Sequence, residues 1–524
     1  MPTRRTLLAG LGATLATPRI ARAAGDTLVF SPVTDLTGLD PFFTATDMTT
    51  HHVGLVYETL YAMDETLTPR PHLVEGATIE DDGKRWRLTL REGIRFHDGE
   101  PLRAQDAVAS IRSWIRTSDA FGRKIGAVTD ALEAISDRVL EFRLKKPFPL
   151  LAHGLAKPAS VIPCIMPARI AEIAGTGKPI DVIGTGPYRY LPSERLAGAR
   201  LAYTRYDQYR SRSEPPSYMA GARIAHFGRV EWHIIPDAST AAASLQKGEI
   251  DWMHDLPPDL APLLRRDPKL RVQVQDFIGG ELYLRFNGLH PPFDNPAIRR
   301  AVLAGIDQPS FMQAAFGEDK APDGSQMWRT QVGVWSLGKP MSTDAGTEAM
   351  AGDLSKARRL LSEAGYRGER VVILQAGDYP MVSAVGLVGA DLLRRMGFNV
   401  EVITLEYAAA NQRRNSRNPP AQGGWNVVFG PFNGYNRYDP AAHVGINPAF
   451  SGWIPLDDIQ ALRERWFDEP DLARRQAIAR EIQMLVWRDV PYIPLGSYAP
   501  LTAFRSELSG VLKGGATFFN VKRG

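Results

Sequence analysis

The sequence predicts an α/β fold divided into two lobes. Strand-like stretches alternate with helix-like stretches of about 10–15 residues in two separate regions, around 230–252 and 353–405. This alternation is typical of helices packed on mostly parallel sheets. The chain has 524 residues, which is too long for one ordinary hydrophobic core.

The first half of the chain begins with a predicted strand at 27–30. Residues 85–91 alternate polar with apolar side chains, which predicts a half-buried strand, and the alternation resumes at Ile94 and Phe96. The spacing of Val108, Ile111 and Ile115 then places them on one face of a helix.

The two α/β regions have the residues that begin and end helices. In the first, a strand at 230–235 is followed by Asp237, a predicted N-cap, and by a helix that Gly248 ends. A further strand follows at 250–252. In the second region the predicted elements are a helix capped by Asp353, a strand at 371–374, a helix ending at Met396 and a strand at 399–405.

The N-terminus has the features of a cleavable, Tat-like signal peptide over residues 1–23. Arg4 and Arg5 precede an uncharged stretch that is too short to cross a bilayer, and Ala21-Arg22-Ala23 is a small-residue cleavage site. The paired arginines resemble a twin-arginine signal, although Sec signals also contain such pairs. We therefore expect a periplasmic protein.

The charge and cysteine content exclude several classes of protein. The formal net charge is +4, and residues 1–23 carry four arginines without an acidic residue, so the remaining chain has a net charge of about zero. No basic stripe predicts nucleic-acid binding. Cys164 is the single cysteine, so the chain has no internal disulfide.

Six segments, in order along the chain, resemble the family 5 extracellular solute-binding proteins, the class that binds oligopeptides, dipeptides and nickel. The most specific is WRLTLREGIRFHDGEPLRAQDAV, residues 86–108. The others are IGTGPYRY at 183–190, SLQKGEIDW at 244–252, FNGLHPPFDNPAIRRAVLAGIDQPSFMQAAFG at 286–317, KARRLLSEAGY at 356–366 and RDVPYIPLGSY at 488–498.

The resemblance implies a bilobal periplasmic-binding-protein fold of type II, with an extra subdomain inserted in lobe 1. Lobe 1 would combine residues 24–60, 185–276 and 489–524, the inserted subdomain would span 61–184, and lobe 2 would span 277–488. The ligand would lie in a cleft between the lobes, with hinges at Gly279-Gly280 and Pro491.

The resemblance also implies ligand-binding positions in lobe 2. Tyr407 falls where the family has an aromatic wall, and Arg414, seven residues further on, is a candidate for binding a carboxylate. Peptide receptors have an aspartate near 434 that binds the ligand's ammonium, and this chain lacks it; Asp439 is the nearest substitute. An anionic solute without an amino group is therefore an alternative to a peptide. The remaining candidates are Phe432, Asn433 and Tyr435 in lobe 2, Tyr498 in the C-terminal part of lobe 1, and Phe43, Thr46 and Asp47 after the first strand of lobe 1.

The implied function is that of an ABC-importer receptor, a monomer without a cofactor or catalysis, whose partners are a peptide or peptide-like solute and the permease. A rival interpretation is a serine hydrolase of the penicillin-binding type, because Ser244 and Lys247 have Ser-x-x-Lys spacing, but its companion motifs are missing. The sequence also leaves open a receptor for a metal or nickel complex, suggested weakly by His51-His52, and a sensory receptor on the same fold.

Overall fold

Two large β-sheets and one smaller sheet organise the chain in a computed structural model. The structure describes residues 26–43, 46–117, 119–317, 320–321 and 324–524. The predicted signal peptide, residues 1–23, lies outside these ranges. No helix in the described ranges is long and apolar enough to cross a membrane.

The strands are numbered in chain order. They are β1 (Thr27–Ser31), β2 (Tyr61–Met63), β3 (Pro69–Pro71), β4 (Val74–Glu80), β5 (Arg85–Leu90), β6 (Thr129–Ala134), β7 (Val139–Leu144), β8 (Tyr188–Tyr190), β9 (Arg200–Arg205), β10 (Arg229–His233), β11 (Trp252–Leu256), β12 (Leu270–Val274), β13 (Gly280–Phe286), β14 (Trp328–Arg329), β15 (Arg370–Ala376), β16 (Asn399–Leu405), β17 (Val427–Asn433), β18 (Tyr492–Tyr498), β19 (Leu501–Arg505), β20 (Leu508–Ser509) and β21 (Lys522–Arg523).

The α-helices are numbered in the same way. They are α1 (Asp47–Val56), α2 (Ala104–Trp114), α3 (Ala120–Val128), α4 (Leu151–Leu155), α5 (Ala168–Ala171), α6 (Ala238–Lys247), α7 (Ala261–Arg265), α8 (Pro296–Gly305), α9 (Gln308–Phe316), α10 (Leu354–Glu363), α11 (Pro380–Met396), α12 (Tyr407–Arg413), α13 (Asp457–Asp468) and α14 (Leu472–Asp489). The predicted caps Asp237 and Asp353 accept hydrogen bonds from the first turns of α6 and α10.

Each lobe is built on one mixed sheet. The lobe 1 sheet has the order β12-β19-β11-β1-β10-β9-β8, and the lobe 2 sheet has the order β14-β18-β13-β17-β15-β16. Among the strands that the structure describes, only the contacts of β1 with β10 and β11, and of β15 with β16 and β17, are parallel. The expectation of mostly parallel sheets was therefore wrong, because long-range antiparallel pairs outnumber the parallel ones.

A four-stranded antiparallel sheet, β4-β5-β7-β6, forms the centre of the inserted subdomain. The chain leaves the lobe 1 sheet after β1 and rejoins it at β8. The predicted strand at 85–91 is β5, whereas Ile94 and Phe96 flank Arg95, which forms an isolated bridge with Pro101 and no further strand.

The chain crosses from lobe 1 to lobe 2 between β12 and β13 and returns between β18 and β19. Gly279-Gly280 lies at the first crossing. Because β18 pairs with β13 along its length, residues 492–498 belong to the lobe 2 sheet. The return therefore lies at 499–500, not at the predicted boundary of 489, and Pro491 lies inside lobe 2.

Aromatic side chains fill the core of lobe 1. Phe30 of β1 contacts Trp252 of β11 and Phe518, with ring centroids 5.3 and 4.9 Å apart. Trp232 of β10 joins the same cluster at 5.6 Å from Phe30. This packing holds β1, β10 and β11 together. The carboxyl ends of β1 and β11 lie at the edge of the sheet that faces lobe 2.

Gly184 and Gly186 lie where the chain leaves the inserted subdomain, and their lack of a side chain lets this segment pack against α1. A Cβ at Gly184 would lie 2.0 Å from the carbonyl oxygen of Val56, and one at Gly186 would lie 2.6 Å from that of Leu55. The Gly-Thr-Gly-Pro segment therefore allows two backbones to approach closely, which a side chain would prevent.

We expect Gly184→Ala to destabilise the protein by about 3 kcal/mol or more, because the backbone at Val56 has to move. Urea unfolding measures the effect. Gly76→Ala in β4 is the control, since a Cβ there meets nothing within 4 Å, and its midpoint should change little. Equal midpoints for the two variants would contradict the packing argument.

Candidate functional site: the interlobe cleft

The carboxyl ends of strands from both sheets meet at the cleft between the lobes. In lobe 2, Gly280 at the start of β13 pairs with Asn433, the last residue of β17, and with Tyr498, the last residue of β18. The parallel strands β15 and β16 end at the same edge, followed by Tyr379 and Tyr407. Ligands bind beyond the carboxyl ends of strands in such folds.

Lobe 1 contributes carboxylates to the cleft. Asp47 begins α1 and Asp255 lies near the end of β11. Asp47 is accessible to water, and its carboxylate accepts a hydrogen bond from the side chain of Asn433 across the cleft. Burial raises the pKa of Asp255 to about 6, and the charge of Asp47 raises it further. Asp276, at the crossing into lobe 2, has its pKa raised to about 6 by burial.

Three tyrosines of lobe 2 lie near Asp47 and Asp255. The rings of Tyr379 and Tyr407 meet edge to face, with centroids 4.9 Å apart, and Tyr498 stacks on Phe316 at 5.0 Å. Burial raises the pKa values of Tyr379 and Tyr498, and the charges of Asp255 and Asp47 raise them further. The tyrosines of lobe 2 and these two acids of lobe 1 therefore face the same cleft.

Arg414 provides positive charge on the lobe 2 side. Its guanidinium donates a hydrogen bond to the hydroxyl of Tyr283 at 3.1 Å and lies 4.9 Å from the centre of the Phe450 ring. Its backbone carbonyl accepts a bond from the indole of Trp425, which fixes the end of α12. Within the described ranges no carboxylate forms a salt bridge with Arg414, and its Nε has no hydrogen-bond partner.

A buried polar network lies next to the three acids along the chain. The Nε2 atoms of His51 and His254 are 2.9 Å apart, and the amide nitrogen of Gln275 is 2.6 Å from the same atom of His254. His51 lies one turn after Asp47, and His254 and Gln275 directly precede Asp255 and Asp276. Burial lowers the pKa values of both histidines, that of His51 to about 4, so both are neutral at physiological pH.

His52 has a different environment from His51. Its Nδ1 lies 2.8 Å from the hydroxyl of Tyr203 in the lobe 1 core. The adjacent histidines therefore do not act together. Over the ranges that the structure describes, no group of three or more His, Cys, Asp or Glu side chains is placed to hold a metal ion.

The structure brings five of the predicted residues together and places the other five elsewhere. Asp47, Tyr407, Arg414, Asn433 and Tyr498 line the cleft. The others have structural contacts. In lobe 1, Thr46 caps α1 and Phe43 lies over Gly177 of the inserted subdomain. In lobe 2, Phe432 is buried against Tyr283, Tyr435 stacks on Tyr218 beside the hinge, and Asp439 accepts a hydrogen bond from the backbone N–H of Ala442 in a buried turn.

Three residues of the cleft were not predicted: Asp255, Asp276 and Tyr379. The rule that pointed to Asp47, proximity to the carboxyl end of a strand, applies equally to Asp255 and Tyr379. Applied to every predicted strand, it would have found both residues.

Ser244 does not lie in the cleft. It is buried in α6, whose face packs on the lobe 1 sheet, while Lys247 is exposed at the end of the helix. The Ser-x-x-Lys spacing thus reflects one turn of a packed helix.

The fold and the two-sided cleft are those of a receptor that encloses a solute between two lobes. The model of the bacterial extracellular solute-binding proteins, family 5, matches residues 68–445. The chain belongs to this family.

Relatives resemble the chain over nearly its full length. It is 33% identical to the probable peptide ABC transporter periplasmic-binding protein y4tO of Sinorhizobium fredii, with 97% of each chain covered. It is 24% identical to the glutathione-binding protein GsiB of Escherichia coli K12, covering 97% of this chain and 96% of that one.

Solved structures show the same fold at lower identity. The periplasmic binding protein DppA of Helicobacter pylori, in complex with the peptide STSA, superposes with a TM-score of 0.77 at 19% identity, covering 95% of this chain and 98% of that chain. AgaA of Agrobacterium tumefaciens R10, in complex with agropinic acid, superposes with a TM-score of 0.76 at 18% identity, covering 95% and 99%.

We expect the buried carboxylate of Asp255 to reduce the stability of the ligand-free protein at neutral pH. Its folded-state pKa of about 6 exceeds the ordinary value of 3.8, so the folded state holds the proton more tightly and stability falls as pH rises between these values. Asp255→Asn should therefore stabilise the protein by about 1–3 kcal/mol at pH 7.5.

Urea unfolding of both proteins between about pH 4 and pH 7.5 measures this difference, which should shrink towards the acid end. Asp259→Asn, at an exposed position in the next turn, is the control and should change little. A destabilised Asp255→Asn at pH 7.5 would show that the carboxylate is a structural partner instead.

Proposed function

We propose that the protein is the periplasmic receptor of an ABC importer and captures a short peptide or peptide-like solute with a free amino group. The observation that carries the proposal is the charge distribution across the cleft. Asp47 and Asp255 lie on the lobe 1 side, and Arg414, without a carboxylate partner in the described ranges, lies on the lobe 2 side. A zwitterionic solute matches both ends.

The names of the relatives support this class of solute. One is named for peptides, another for glutathione, and a neighbour in the fold holds the peptide STSA. The aspartate that binds the ammonium in peptide receptors is missing near 434, but the acids of lobe 1 provide negative charge in the same cleft. Three tyrosine rings around these acids add favourable faces for a cation.

The two lobes also provide a mechanism of capture. A solute that contacts Asp255 on one lobe and Arg414 on the other makes both sets of contacts only when the lobes are closed. Its binding therefore shifts the equilibrium towards the closed form, which the permease would recognise. Binding and release require no covalent step, so Ser244 has no part in the proposed function.

The first test uses an equimolar mixture of natural di- and tripeptides, and the same mixture after N-acetylation. We expect the free peptides to raise the melting temperature, because a ligand at about 100 times its Kd stabilises by about 2.7 kcal/mol. The acetylated mixture should have little effect, and chromatography should recover the peptides intact. Stabilisation by the acetylated mixture alone would contradict a site for a free amine.

The second test removes each charge of the cleft in turn. Asp47→Asn and Asp255→Asn should each weaken a bound dipeptide, and Arg414→Ala should weaken it by roughly 1.5–3 kcal/mol through loss of a charged hydrogen bond. Isothermal titration calorimetry measures the three affinities. Arg417→Ala is a matched control, since its guanidinium lies over Trp453, outside the cleft. Unchanged affinity in Arg414→Ala would remove this residue from the site.

A further inference from the structure

A second set of contacts between the moving parts lies away from the ligand site. It joins α3 and the segment that follows β7, both in the inserted subdomain, to α13 of lobe 2. The ammonium of Lys124 is 2.6 Å from a carboxylate oxygen of Glu464 and 3.2 Å from one of Asp468, and the ammonium of Lys146 is 2.6 Å from the other oxygen of Asp468. We call these four residues the rim clamp.

The rim clamp surrounds an apolar contact. The ring of Phe467 on α13 lies 5.3 Å from that of Phe121 on α3 and 6.3 Å from that of Phe148. The ammonium of Lys124 lies 5.5 Å from the centre of the Phe467 ring. The side chain of Lys124 is only 7% exposed, and its ammonium lies between two carboxylates of lobe 2.

Each half of the rim clamp is held firmly in its own body. The guanidinium of Arg463, on α13, donates to the backbone carbonyls of Pro440 and Ala441, which attaches the helix to lobe 2. On the other side, Ile125 of α3 packs against Gly154 of α4. The two halves are separated by more than 320 residues along the chain and have no direct covalent link.

The interface between the halves is packed at its apolar centre and open to solvent at its edge. A cavity of about 220 Å³ lies between α3 and α13, lined by Ala120, Arg123, Lys124, Ala127, Gln460, Arg463, Glu464 and Phe467. This recess opens to solvent, so water and salt reach the edge of the interface. The ion pairs of the rim clamp exist only while the two halves are in contact, and they lie where salt can screen them.

We propose that the rim clamp is an electrostatic lock that favours the closed arrangement of the lobes without touching the ligand. A rotation of lobe 2 about the crossings at 275–279 and 499–500 opens the cleft and separates α13 from α3. The lysines and acids then return to water. The clamp therefore sets the closed fraction of the ligand-free protein, and with it the apparent affinity for any solute.

Fluorescence energy transfer in the ligand-free protein tests this inference without knowledge of the solute. Dyes are attached to cysteines introduced at Asp130 of the inserted subdomain and Arg480 of lobe 2, both exposed. The natural Cys164 is buried and does not compete for the label. The experiment measures the ratio of closed to open molecules in the full-length mature protein.

We expect the double variant Lys124→Gln/Lys146→Gln to lower this ratio by roughly three- to tenfold at about 0.05 M NaCl. Raising NaCl to about 1 M should lower the ratio of the wild type and leave the double variant nearly unchanged, because salt screens the ion pairs. Lys146→Gln alone, at a half-exposed position, should fold normally and give an intermediate ratio.

Lys145→Gln is the matched control. Lys145 is adjacent to Lys146 but donates to the carbonyl of Ala127 in its own subdomain, so its removal should leave the ratio at the wild-type value. A double variant with the wild-type ratio at low salt would overturn the inference, as would an equal loss in Lys145→Gln. Since no solute is added, the result is independent of whether the proposed peptide ligand is correct.

Discussion

The absence of a side chain at Gly280 is the constraint on which the cleft depends. This residue begins β13 and pairs with Asn433 on one side and Tyr498 on the other. A Cβ at this position would lie 2.3 Å from the ring of Tyr498. Only glycine lets that ring lie across the strand and point towards the acids of lobe 1. The same pairing places Asn433 where it meets Asp47.

The sequence predicted the local elements well and the sheet connections less well. The helix caps at Asp237 and Asp353, and the strands near 230, 371 and 399, depend on neighbouring residues and correspond to α6, α10, β10, β15 and β16. The pairing of β13 with β18 joins residues more than 200 positions apart. No local periodicity contains that information, so the lobe boundary near 489 was placed about ten residues too early.

The site shows a similar division. Asp47, Tyr407 and Arg414 were predicted because they lie just beyond strands or at family positions. Phe432 and Asp439 lie in the same stretch of sequence, but their side chains turn into the lobe 2 interior, where Phe432 stacks on Tyr283 at 4.0 Å. Which side of a strand faces the cleft depends on the whole sheet. Asp255 lies three residues beyond the predicted strand at 250–252, so the rule that pointed to Asp47 applies to it, but the structure extends that strand as β11 to Leu256.

The charges of the cleft and those of the rim clamp act in opposite directions on closure. Closing the lobes brings the carboxylates of Asp47 and Asp255 together in the cleft, and the charge of Asp47 adds to the burial that raises the pKa of Asp255. The proposed clamp offsets this cost with ion pairs formed at the far edge of the same interface. When the two effects nearly balance, a single charged group on a ligand decides whether the protein is closed. If either effect dominated, the protein would stay open or stay closed and would respond little to the ligand. A near balance lets the receptor close on its solute and open again to release it.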